Sequence, residues 1–211
     1  LLTHSPLVIN SAVTDTFGGD ITLAALGANA ADDLTLHANV SAIGGNGNIQ
    51  LVAGDTFTID SGVTVSAAKK GNITVAAGED FTDGIFNQNG NTGIAGGNVV
   101  MGETAQIKTD DGNITVDSAH DIYLAVLNAN ANGDKVKGDV LTYSRAGKTV
   151  DVNGAKTINI TAGNLLMLSS GDIGTKTNPI KLASGTKINK PAETSFPQCT
   201  GLSKCSSKRY T

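Results

Sequence analysis

The sequence predicts an all-β chain wound as a parallel β-helix, with about seven coils of roughly 25 residues and an irregular C-terminal tail. Three observations carry this reading. A short motif recurs along the chain, the segments after it alternate apolar and polar residues, and the composition suits a narrow core. Of 211 residues, 26 are Gly, none is Trp, 4% are aromatic and 16% are charged. Average soluble chains hold about 7% Gly and about 25% charged residues. An apolar content of 39% with so little charge argues against disorder. Gly lacks the strict period of three that a collagen helix needs. No run approaches the roughly 18 apolar residues of a membrane helix, so no membrane insertion is expected. No secretory signal peptide opens the chain, which starts Leu1-Leu2-Thr3 and reads as a fragment or processed product.

The motif is Gly, then Asn or Asp, then an aliphatic residue, one further residue and an apolar one. It occurs as Gly19-Asp20-Ile21-Thr22-Leu23, Gly47-Asn48-Ile49-Gln50-Leu51, Gly71-Asn72-Ile73-Thr74-Val75, Gly97-Asn98-Val99-Val100-Met101 and Gly112-Asn113-Ile114-Thr115-Val116. Weaker copies begin at Gly138 and Gly163. The step of 15 residues from Gly97 to Gly112 breaks a spacing otherwise between 24 and 28.

Within each copy the alternation places Ile73 and Val75 inward with Thr74 outward, and likewise Ile114 and Val116 around Thr115. A small-residue break then precedes a second strand: Ala53-Gly54-Asp55 before Phe57-Thr58-Ile59, and Ser118-Ala119-His120-Asp121 before Ile122-Tyr123-Leu124. A third short strand follows, as in Val63-Thr64-Val65. Gly and Asn tolerate the positive φ of sharp corners. One such unit cannot bury its inward face alone, and stacking the units closes the core. A β-sandwich does not require one motif to recur at this interval, and Gly27 and Asn29 interrupt the Ala-rich stretch from Thr22 to Leu34 as a helix. The repeat spans residues 1–182, and seven coils at about 4.8 Å per strand give a rod on the order of 35 Å long.

These repeats, together with Gly171-Asp172-Ile173-Gly174-Thr175-Lys176-Thr177-Asn178-Pro179-Ile180-Lys181-Leu182, resemble those of filamentous-haemagglutinin-type exoproteins, the large secreted partners of bacterial two-partner secretion. The resemblance covers about residues 15–185. It implies a right-handed β-helix, export through an outer-membrane barrel partner, and a role in adhesion or surface display toward a host-cell receptor or glycan. The secretion-signal domain that such proteins carry at their N-terminus is not evident here, so the chain reads as a later segment.

Residues 183–211 form a basic, cysteine-containing tail. From 181 onward six basic residues face one acid, a net +5, whereas residues 1–180 carry −9, and the chain totals −4. Pro191 and Pro197 break regular structure there. Both cysteines, Cys199 and Cys205, lie in this tail, and in a secreted chain an even number suggests a disulfide. Such a bond would either staple a terminal cap or, as in some of these exoproteins, form the looped end that holds the fibre at the cell. A zinc site is disfavoured because no further Cys or nearby His accompanies the pair.

Catalytic signals are weak. Asp32-Asp33, Glu79-Asp80 and Asp110-Asp111 sit where turns are expected, a common place for Asp. His4, His37 and His120 have neither triad nor zinc spacing. No Gly-x-Ser-x-Gly elbow, phosphate loop or dinucleotide fingerprint is present. Gly44-Gly45-Asn46-Gly47-Asn48 lacks the Asp and the tandem copies of a calcium-binding repeat. The acidic body and sparse aromatics disfavour nucleic acid. No cofactor is implied. Asn39, Asn72, Asn113 and Asn159 head Asn-x-Ser/Thr sequons, either glycosylation sites or by-products of turn-plus-strand sequence. Thr22, Thr74 and Thr115 could align outward as in an ice-binding array, but Gln50 and Val100 interrupt the set. The expected function is therefore a non-catalytic segment of a surface-displayed bacterial exoprotein, an adhesin or rigid fibre shaft, with Thr82–Gly96 and Asn128–Gly138 as its longest polar loops. The alternatives are a carbohydrate-binding or polysaccharide-degrading β-helix and a structural filament subunit.

Overall fold

Three short strands and three corners make one coil, and successive coils stack with every paired strand parallel. The structure is a computed structural model that describes residues 1–4, 6–27, 31–79, 97–154 and 156–189. The expected pair Cys199 and Cys205, and all of the 82–96 loop, lie outside the described residues.

Sheet A collects the strands that follow the Gly-Asn corner: β1 (Leu2–Thr3), β4 (Ile21–Ala25), β7 (Ile49–Ala53), β10 (Ile73–Ala77), β13 (Ile114–Ser118), β16 (Val140–Ser144), β19 (Asn164–Ser169) and β20 (Lys187–Ile188). Sheet B holds β2 (Leu7–Ile9), β5 (Leu34–Leu36), β8 (Phe57–Ile59), β11 (Val99–Met101), β14 (Ile122–Leu124) and β17 (Thr149–Asp151). Sheet C holds β3 (Val13–Asp15), β6 (Val40–Ala42), β9 (Thr64–Ala67), β12 (Gln106–Thr109), β15 (Val126–Asn128) and β18 (Ile160–Thr161). Chain order visits A, B and C in turn, so six coils are complete. A seventh consists of β19 with single bridges from Ile173 to Thr149 and from Leu182 to Ile160. Sheet A then continues past the expected boundary at 182, because β20 pairs with β19. Eight strands at about 4.8 Å give a stack ~34 Å long.

The core follows from register. Ile21, Ile49, Ile73, Ile114, Val140 and Leu165 form one inward column, paired strand to strand. Leu34, Phe57, Val99 and Ile122 form another. Phe57 is fully buried among aliphatic neighbours. The sixth coil departs from this pattern: Thr142 and Thr149 stand at inward positions, fully buried, and their hydroxyls have no hydrogen-bond partner.

The step of 15 residues now has a cause. Gly97-Asn98 leads into β11 in sheet B, whereas the other copies lead into sheet A. Its equivalents in register are therefore Phe57 and Ile122, not Ile73 and Ile114. The fourth coil carries a long insertion between its A and B strands, so successive A-strand ladder residues Asn72 and Asn113 lie 41 residues apart.

The motif glycines are also explained differently. Gly47, Gly71, Gly112 and Gly138 do not adopt positive φ. A Cβ on each would lie 2.2, 2.2, 1.9 and 1.8 Å from the carbonyl oxygen of the corresponding glycine one coil earlier. The corner needs glycine because the backbones touch there. Positive φ falls on other residues, such as Gly18 (φ 89°) just before Gly19, and Gly62 (φ 77°), where a Cβ would meet open space.

Candidate functional site

The residue after each motif glycine builds the most regular surface feature of the fold. Asp20, Asn48, Asn72, Asn113, Asp139 and Asn164 stand one above another at the corner that enters sheet A. The backbone N–H of each donates to Oδ1 of the residue one coil earlier: Asn48 to Asp20 at 2.7 Å, Asn72 to Asn48 at 3.0 Å, Asn113 to Asn72 at 2.8 Å, Asp139 to Asn113 at 2.8 Å and Asn164 to Asp139 at 2.9 Å. Side-chain amides of Asn48, Asn72 and Asn164 reinforce the same steps at 3.0, 3.2 and 2.8 Å. The ladder runs unbroken through six coils, over ~24 Å at the strand spacing.

Beside it runs the outward row of sheet A, in register Thr22, Gln50, Thr74, Thr115, Leu141 and Leu166. Val100 is not in this row, so Thr74 and Thr115 are direct neighbours; Gln50 does interrupt it, accepting the Thr22 hydroxyl at 3.2 Å. Ladder and row enclose two shallow clefts, one after the other. The first, about 280 Å³, is lined by Asp20, Asn48, Gln50, Asn72 and Thr74. The second, about 220 Å³, is lined by Asn113, Thr115, Asp139, Leu141, Asn164 and Leu166 among others. Three residues before Asp20, on the same corner, Phe17 is 94% exposed, the most exposed large hydrophobic side chain among the described residues. Its loop is pinned: Asp15 Oδ1 accepts the amides of Phe17 (3.0 Å), Gly18 (2.7 Å) and Gly19 (2.8 Å). Those amides, Gly19 foremost, hold the Asp15 carboxyl below its ordinary 3.8.

Two charged clusters sit elsewhere. Arg145 pairs with Asp117 through Nε at 2.9 Å and Nη2 at 2.6 Å, and stacks 4.5 Å over the Tyr143 ring. Burial pushes the Asp117 carboxyl up against this pairing. At the end of the stack, Asp151, with no exposed side-chain surface, takes Lys181 Nζ at 2.5 Å and the Asn159 amide at 2.6 Å. Burial acts to raise the Asp151 carboxyl, and Lys181 with the Asn153 and Asn159 donors outweighs it, holding the group below its ordinary 3.8. Both clusters join adjacent coils and hold their charges in salt bridges.

The sequon residues divide sharply. Asn72 and Asn113 are exposed ladder members, and Asn39 is exposed with its Oδ1 accepting the Thr64 amide at 2.8 Å. Asn159 is fully buried, and both of its amide hydrogens are taken, by Ala125 O and Asp151 Oδ1. Its sequon is therefore closed to a glycan in the folded chain, because neither space nor a spare amide hydrogen remains. Two of the acidic pairs support corners as expected of Asp: Asp33 accepts the Thr56 amide, Asp110 the Lys69 amide and Asp111 the Asn132 side chain, while Asp80 of the third pair lies outside the described residues. His37 pairs with Asp60 at 2.5 Å on the surface, apart from His4 and from the corner residue His120. The 128–138 loop is knit internally through Asn128, Asn132 and Asp134. Among the described residues no group of three or more His, Cys, Asp or Glu could hold a metal, and no helix is long and apolar enough to cross a membrane. The ladder had a readable signal in the sequence, an Asn or Asp recurring immediately before each sheet A strand. No family model, curated protein or solved structure matches the chain.

Proposed function

We propose that this chain is a segment of a secreted, surface-displayed bacterial exoprotein, acting as an adhesin or rigid fibre shaft through its surface. The observation that carries the reading is the uninterrupted stack: one core and one exposed amide ladder continue from coil to coil without a change of register. Such a stack gives length and stiffness from local contacts alone and exposes an extended face for binding. Asp33 and Asp110, from two of the acidic pairs, accept backbone amides at corners, and Asp111 accepts the Asn132 side chain. The motif resemblance adds export through an outer-membrane barrel partner and a host receptor or glycan as the binding target.

The test is labelling of intact cells. An epitope inserted in the exposed 131–136 part of the 128–138 loop of the full-length protein should be reached by antibody on unpermeabilised bacteria, and deletion of the barrel partner should abolish the signal. Labelling only after permeabilisation would overturn the proposal.

A further inference from the structure

We infer that the corner clefts bind an uncharged glycan chain lying along the stack axis, with Phe17 as the stacking platform at one end. The inference rests on the display reading above and names the ligand class of that surface. Three features of the surface converge on it.

The first is repeat. The ladder offers one amide or carboxylate per coil at the strand spacing of about 4.8 Å. Asn48 and Asn72 each commit one amide hydrogen to the ladder and keep a second outside it. Gln50 and Thr74 face the same cleft with further donors and acceptors. A polymer of hydroxyl-rimmed rings meets such a surface unit by unit. A peptide strand does not, because it repeats every ~6.6–6.8 Å and would pair along a sheet edge, whereas this cleft runs across the strands.

The second is charge. Asp20 lines the first cleft and Asp139 the second, each with its Oδ2 outside the ladder bonds. Two carboxylates and no lining cation repel sulfated glycans, uronates and nucleic acid.

The third is the aromatic. Phe17 precedes Asp20 by three residues on the same corner, so their Cα atoms are within ~11 Å. Its loop is fixed by the three Asp15 bonds and lies against Gly44 and Gly45, whose Cβ positions would fall 2.0 Å from Thr16 O and 3.0 Å from Gly18 Cα. An exposed ring on a backbone already ordered gives contact area at little entropic cost. The flat apolar face of a pyranose fits it.

The experiment is titration of the full chain with cellohexaose and chitohexaose, with heparin as the anionic arm, followed by calorimetry or ligand-observed NMR. Binding of a neutral hexaose, weakened about fivefold or more by Phe17→Ala or Gln50→Ala and unchanged by Ile158→Ala on another corner, supports the inference. Phe17 is too exposed for its removal to unfold the chain, and an unchanged melting temperature confirms that. Absence of neutral-glycan binding, equal binding by all three variants, or preference for heparin overturns it. Intact-cell labelling reads the display proposal separately, so either can fail alone.

Discussion

Replacement of Gly112 by Ala isolates what the motif glycine does. A Cβ there would stand 1.9 Å from Gly71 O, where real contacts do not fall below 3.0 Å, so the two coils must part by roughly 1 Å. That displacement strips the local bonds joining them: Asp111 N to Lys69 O (2.7 Å), Asn113 N to Asn72 Oδ1 (2.8 Å) and Ile73 N to Asn113 O (2.9 Å). At about 1 kcal/mol each, the loss is ~3 kcal/mol. For a domain of this size that lowers Tm by ~6–12 °C. Gly62→Ala is the informative counterpart, because its Cβ meets open space and only its φ of 77° is costly. The expected penalty there is ~1 kcal/mol, and Gly62→Asn should be near neutral because Asn tolerates that conformation. Urea titration and thermal melting by circular dichroism measure all three. If Gly112→Ala costs under about 1 kcal/mol, or less than Gly62→Ala, close backbone approach is not what selects glycine at this corner.

Three further outcomes follow from the C-terminal coils and the sequons. Thr142→Val and Thr149→Val each replace a fully buried, unpartnered hydroxyl by a methyl, and each should stabilise by ~1 kcal/mol, seen as a rise in urea midpoint. Asp151 has its folded carboxyl held below 3.8, so its contribution is present above that value and is lost as pH falls below it. Melting temperature of the native chain should therefore drop more steeply below pH 3.8 than that of Asp151→Asn, and parallel curves would show that the Lys181 clasp adds nothing. Peptide mapping of the exported protein should find any N-linked sugar on Asn39, Asn72 or Asn113, and a modified Asn159 would contradict its burial.

Much of sheet A was legible because one motif reports one corner. Gly-Asn-Ile-Thr-Val at 71–75 and 112–116 became β10 and β13 in direct register, and Phe57–Ile59 and Ile122–Leu124 became sheet B strands at the bounds read from alternation. Gly97 misled because the B-sheet corner takes the same Gly-Asn start for another reason: Gly97 stands at φ 67°, and a Cβ on it would lie 2.9 Å from Ala119 Cβ and 3.0 Å from Gly78 Cα. Local sequence does not say which of three corners it occupies. The polar interior of the sixth coil was illegible for a different reason. Thr142 and Thr149 fit the alternation but not the apolar inward pattern, and Asn159 reads as an exposed sequon until Asp151 and Lys181 are seen around it. The ladder is visible in the aligned repeats, yet its function as a surface depends on the coils being stacked without slip.

That register is what the functional reading rests on, and NMR tests it directly. Amide contacts should join Asn113 to Asn72 and Ile73, 41 and 40 positions earlier in the chain, while Asp121 meets Asn98 at the separate sheet B corner. Contacts placing Asn113 against Asn98, as one coil per motif would require, or no contact between Asn113 and Asn72, would break the ladder and with it the continuous surface.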